Sequence, residues 1–181
     1  MESKTMILRL LFWGFLAAQG LHAQQASTST GHIWFYSETP LEEIRADNHQ
    51  VRAALNLETG QAAAVVQIRS FKFPKALMEE HFNDNYLESH KFPRATFSGT
   101  VEPANKLKTP GSHTLSLTGD LEIHGVIKPL NLQIPINIQK EGASIVFSFT
   151  VTLQDYGIKN DKPRFISNQI TVTVNFQLTV T

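Results

Sequence analysis

The residues best suited to metal chemistry in this sequence are three histidines, His81, His90 and His124, because imidazole is a common metal ligand. Their spacing matches no recognised site, such as two histidines one helical turn apart with a glutamate beside them. Packing or hydrogen bonding is therefore their simpler role. Asp120 in "TGDLEIH" sits near His124, yet one carboxylate on a strand does not make an acid/base pair. The chain has no Gly-x-Ser-x-Gly, no phosphate-cradling glycine loop and no zinc-binding histidine motif. Cysteine is absent, which excludes thiol nucleophiles, disulfide exchange, Cys-ligated metals and a lipoprotein anchor. The residue types thus predict no catalytic group, no metal and no cofactor. Lys91, Arg94 and Lys128 have the charge to hold a phosphate or carboxylate head group, and solvated surface charge is the other reading of all three.

Such residues need elements to position them, and the chain opens with a segment outside any fold. "MESKTMILR" is basic, "LLFWGFLAA" is an apolar run, and "QGLHAQQ" follows with Ala23 at the cleavage position. This is the order of a secretory signal over residues 1–23, and the run is too short for a transmembrane anchor. The Ser/Thr-rich stretch of residues 24–31 then reads as a flexible leader, and residues 32–181 as one domain. Periplasmic or secreted localisation follows. Removing residues 1–23 takes away Glu2, Lys4 and Arg9, leaving 14 basic against 15 acidic residues. A near-neutral chain has no global electrostatic attraction to nucleic acid or to an anionic membrane.

The C-terminal half alternates strictly. Leu117, Leu121 and Ile123 share one parity, as do Leu130, Leu132, Ile134, Ile136 and Ile138. "SIVFSFTVTLQ" and "NQITVTVNFQLTVT" repeat the pattern, with Phe147 and Phe149 in the first and Ile170 and Val172 in the second. Period-two alternation of this length predicts antiparallel strands with one oily and one wet face. "HQVRAALNLETGQAAAVVQIRSFKF" reads as two further strands around "ETGQ", although its alanine run also suits a helix. "PKALMEEHFNDNYLESHKFP" has helical spacing and predicts one short helix ending before Pro93. The fold class is all-β: an antiparallel barrel or sandwich of about eight strands. A barrel of that size either fills with its own side chains or holds one small ligand, and alternation fits both.

Three spaced motifs narrow the choice. "LMEEHFNDNYLESHKFPRATFSGTV", "LTGDLEIHGVIKPLNLQIPINI", and "DYGI" with "ISNQITVTVNFQL" downstream resemble the signatures of the YceI-like family, in the family's order and over Leu77 to Thr181. The opening "SETPLEEIRADNHQ" departs from that family's usual first strand. The resemblance implies an extended lipocalin-like β-barrel, exported and without catalytic residues or metal. Its interior would bind an isoprenoid or a similar apolar lipid such as a quinone or fatty acid, in a monomer or homodimer. The expected lining is Phe73, Phe82, Phe92, Phe97, Phe147, Phe149 and Phe165, with Leu117, Leu121, Ile123, Ile170 and Val172. For each residue ordinary core packing is the alternative. Gly119, Gly125 and Pro129 are expected to shape the hairpin between the two alternating strands.

Overall fold

The computed structural model describes residues 24–180, so the signal expected over residues 1–23 lies outside the described part. Eight strands follow one another as an up-and-down meander: β1 (Gln25–Glu38), β2 (Glu43–Asn56), β3 (Gln61–Gln67), β4 (Arg94–Glu102), β5 (Gly111–Ile123), β6 (Val126–Gln139), β7 (Gly142–Thr152) and β8 (Gln169–Val180). Every neighbour is antiparallel, and β8 returns to pair with β1, for example Val172 with Phe35, which closes the barrel. Closure removes most of the edge that strands of this length would otherwise expose.

The residues expected as a leader are instead part of the barrel. Ala26 is fully buried and pairs with Leu55 on one side and Val180 on the other. "QASTST" lacks the large apolar residues that mark a strand, so its alternation rests on Ala26 alone.

Alternation places Leu115, Leu117, Ile134, Ile136 and Ile138 inside, all buried. The lower end is plugged by Leu107, which is 1% exposed and sits in a 3-10 turn, Ala104–Lys108, between β4 and β5. The upper end carries the longer connections. A short helix, α1 (Ala76–His81), runs into a π-helical turn over Phe82–Tyr86 between β3 and β4. A second connection leads from the 3-10 turn Leu153–Tyr156 to β8. The β5–β6 hairpin closes with His124 and Gly125 alone, both at positive φ (54° and 73°), the geometry of a tight primed turn. Gly125 thus shapes the hairpin as expected. Gly119 does not: it faces Gly99 in mid-ladder. A Cβ on Gly119 would lie 2.3 Å from the Ser98 carbonyl oxygen, and one on Gly99 would lie 2.1 Å from that of Thr118.

Neighbouring strands are not stitched equally. β5 and β6 pair along their whole length, whereas β6 and β7 pair only from Ile136↔Ile145 to Gln139↔Gly142. Above that short ladder the two strands separate. Pro129 lies in the separated stretch and Pro135 at its lower limit, where a strand tolerates a residue that cannot donate a ladder hydrogen bond.

Candidate functional site

The barrel interior is not filled by its own side chains. A deep cavity of about 110 Å³ is bounded by Leu55, Phe97, Leu117, Ile134, Phe147 and Phe176 among others. Above it an open chamber of about 640 Å³ reaches the upper mouth, bounded by Phe35, Phe71, Phe73, Phe82, Ile123 and Val172 among others. Ile33, Val66, Ala95, Leu121 and Phe149 border both, so the two form one apolar path along the barrel axis. Together they fall within the size range of small-molecule sites.

The space exists because one wall is made of small residues. Ala53 pairs with Ala64, and Leu55 with Ala62, on β2 and β3; all three alanines border the deep cavity. The opposite wall carries large side chains from β7 and β8: Phe147, Phe149, Val174 and Phe176. Alanines facing phenylalanines leave a void that Leu or Ile would close. The alanine run is thus a pair of strands, and its small side chains form the site.

At the mouth, Phe35, Phe71, Phe73 and Phe82 make a cluster. Their ring centroids lie 5.0 to 5.8 Å apart in tilted, edge-on and stacked pairs, within the range of favourable aromatic contacts. Phe82 comes from the π-helical turn, so the helical connection contributes directly to the chamber. Leu77 on α1 and Phe165 on the β7–β8 connection stand at the rim, 60% and 48% exposed.

Of the residues expected from sequence, Phe97, Leu117 and Phe147 border the deep cavity. Phe73, Phe82, Ile123, Phe165, Ile170 and Val172 border the upper chamber, and Leu121 and Phe149 border both. Phe92 borders neither. Its ring packs edge-on against His124, centroids 4.4 Å apart, and over Gly125, where a Cβ would lie 2.7 Å from it. The cations also lie elsewhere. Lys91 is hydrogen-bonded to Glu88, and Arg94 and Lys128 are exposed strand residues outside both linings. The cations that do border the chamber are Lys75 and Lys162, of which Lys75 is bonded to Glu42 at 3.1 Å. They sit on connections, where no periodicity marks which way a side chain points.

Titratable groups gather around the mouth. Glu79 on α1 accepts from Lys72 at 2.6 Å and from the Phe73 amide at 3.3 Å, and the Lys72 hydrogen bond holds its carboxyl below the usual range. Lys91 does the same for Glu88, with His124 contributing. Burial pushes the phenols of Tyr86 and Tyr156 up. His81 borders the upper chamber, His90 is exposed, and His124 is committed to Glu88 and the Tyr156 carbonyl. Their three positions do not converge on one point.

A family model, the YceI-like domain, matches residues 23–178. The chain belongs to the YceI-like family. Among curated relatives, a UPF0312 protein of Pseudomonas fluorescens is 32% identical over 113 residues, 59% of this chain and 56% of that protein. A second, from Pseudomonas putida, is 33% identical over 81 residues, 41% of this chain and 40% of that protein. The chain spans about half the length of the curated relatives it matches.

Solved structures share the fold of this YceI-like barrel at low identity. A polyisoprenoid binding domain from Saccharophagus degradans, implicated in plant cell wall breakdown, superposes with a TM-score of 0.77 at 14% identity, covering 88% of this chain and 99% of that one. BcnA of Burkholderia cenocepacia superposes with a TM-score of 0.65 at 13% identity, covering 83% and 96%.

Proposed function

We propose that this YceI-like protein is an exported, non-enzymatic binding protein that holds an isoprenoid-type or other apolar lipid inside its barrel. The observation that carries the reading is the axial path from the phenylalanine cluster at the mouth to the alanine-walled cavity. An acyl or prenyl chain of small cross-section fits such a path. Burying it stabilises the complex by about 25 cal/mol per Å² removed from water, with no specific polar contact required along the chain. The polyisoprenoid binding named for the Saccharophagus domain supports the same ligand class. Export rests on the basic, apolar, small-residue order of residues 1–23. The absence of a catalytic role rests on the lining, which is almost wholly apolar in the deep cavity and offers no convergent acid, base or nucleophile there.

Native mass spectrometry of the protein purified from a bacterial host, followed by organic extraction of the bound material, tests the reading. A stoichiometric apolar adduct is the expected result. A clean unliganded mass, with no uptake of offered isoprenoid quinones or fatty acids, overturns it.

A further inference from the structure

A second constellation lies on the outer wall, on the face opposite the cavity lining. His32 on β1 and Asp47 and His49 on β2 bring three donor atoms within 4.8 Å of one another. His32 Nε2 is 2.9 Å from Asp47 Oδ1, and the His32 and His49 rings stack at 3.9 Å between centroids, 17° apart. Ile33, next to His32, points inward and borders both chambers, so the cluster is separate from the lipid path.

We propose that His32, Asp47 and His49 form a site for a first-row transition-metal dication such as Zn²⁺. Three local features build it. The first is spacing: Asp47 and His49, two residues apart on one strand, share a face, and His32 answers them across the ladder. The second is a bulge. Gly31 pairs with Val51 and Ile33 with Asn48, so His49 and Gln50 together oppose His32, and a bulge of this kind re-aims side chains toward a common point. The third is support from neighbouring groups. Arg45 grips Asp47 at both oxygens, Nε to Oδ2 and Nη2 to Oδ1, each at 3.0 Å. The Trp34 ring lies 4.5 Å from that of His32, between centroids, with Arg45 5.8 Å over the indole. Ligands held by such outer partners keep their orientation.

The donor set decides the class of ion. Two imidazoles and a carboxylate suit zinc, copper or nickel, whereas calcium and magnesium take oxygen ligands. Ligands about 2.0–2.2 Å from zinc in a tetrahedral site stand roughly 3.3 Å apart. His32 and Asp47 are already near that separation, and His49, which is exposed, closes the remaining gap by turning out of its stack on His32. Solvent would fill the fourth position. Arg45 opposes the ion by like charge, but it is half exposed, where solvent and salt screen such repulsion. An ion bound here would tie β1 to β2 across the bulge, where their ladder is interrupted.

Calorimetric titration of Zn²⁺ into the untagged protein tests this, with Cu²⁺ quenching of Trp34 fluorescence as a local readout. Saturable one-to-one binding is expected, weakened about tenfold or more in His49→Ala and in Asp47→Asn and unchanged in His113→Ala, a control on β5 that is no part of the cluster. His49→Ala alters an exposed side chain, so a circular-dichroism melt matching the parent would show its fold intact. The proposal is overturned by the lack of a saturable event, or by binding that His49→Ala leaves unchanged. Neither result bears on the lipid reading, because no ligand of the site borders the cavity.

Discussion

The Glu88 carboxylate and the His124 imidazole meet at 3.1 Å, and these two are the non-glycine residues, among those described, that hold positive φ (41° and 54°). The left-handed conformation is unfavourable for a side chain with a Cβ, so each is kept there by its surroundings. Glu88 ends the helical connection from β3 to β4, while His124 opens the β5–β6 turn. His124 also reaches the Tyr156 carbonyl at 3.2 Å through Nδ1, and Phe92 covers the adjacent Gly125. One imidazole therefore joins three segments around the upper end of the barrel.

His124→Ala removes both hydrogen bonds and leaves an unfavourable φ without its anchor. We expect a loss of about 1–3 kcal/mol in a urea unfolding curve. His124→Asn, a residue that adopts the left-handed region more readily, should lose less. Equal stability of the alanine variant and the parent would show that the turn does not need this imidazole.

Acid should loosen the same region. Lys91 and His124 lower the folded-state carboxyl of Glu88, and Lys72 lowers that of Glu79. A carboxyl depressed on folding contributes stability above its unfolded value, here 4.5, and that contribution is lost as pH falls through the folded value. Melting temperature is therefore expected to drop as pH is lowered from about 5 to about 3, and to drop less steeply in Glu88→Gln. Identical pH profiles for parent and variant would remove Glu88 from this account.

Gly119→Ala brings a Cβ within 2.3 Å of the Ser98 carbonyl oxygen and 2.9 Å of the Phe97 ring. Backbone cannot yield as a side chain does, so overpacking should cost about 1–3 kcal/mol, read as a shift of the denaturation midpoint. Lipid uptake is a second readout, since Phe97 borders the cavity and must move. A neutral substitution would mean that β4 and β5 can separate at no cost.

Ala64→Leu places three extra carbons in the void facing Phe147. The cavity absorbs much of the added volume, so the variant should stay folded while stoichiometric binding of an apolar ligand falls severalfold or more. Unchanged uptake by a folded variant would place the ligand elsewhere.

Much of this molecule was legible in its sequence. The strands from β5 to β8 announce themselves because a half-buried sheet imposes period two on the chain, and "KALMEEHF" carries the spacing of α1. Eleven of the twelve residues expected to line a cavity border one. For the eight on strands parity fixes which face is inward, whereas Phe73, Phe82 and Phe165 lie on connections where only their aromatic character pointed to the site. Other features have no such signal. Ala26, Ala53, Ala62 and Ala64 contribute by being small, and an alanine says little about strand or helix until its partner across the ladder is known. Phe92 looked like lining because it is aromatic, but it follows an irregular connection in which parity has no meaning. His32 was missed for a related reason: its partners lie on the next strand, and only the bulge at His49 and Gln50 completes the cluster. Asp-x-His in "ADNHQ" was the available hint.

The short ladder between β6 and β7 bears on how the protein behaves in company. Above Ile136 and Ile145, the facing edges of these two strands have no ladder between them, the arrangement that recruits foreign strands and seeds aggregation. β6 meets that hazard with its own residues. Pro129 and Pro135 withhold their amides, and Lys128 sets an exposed charge at the same margin. A guard against edge-to-edge pairing is thus built into a strand whose oily face is turned toward the cavity.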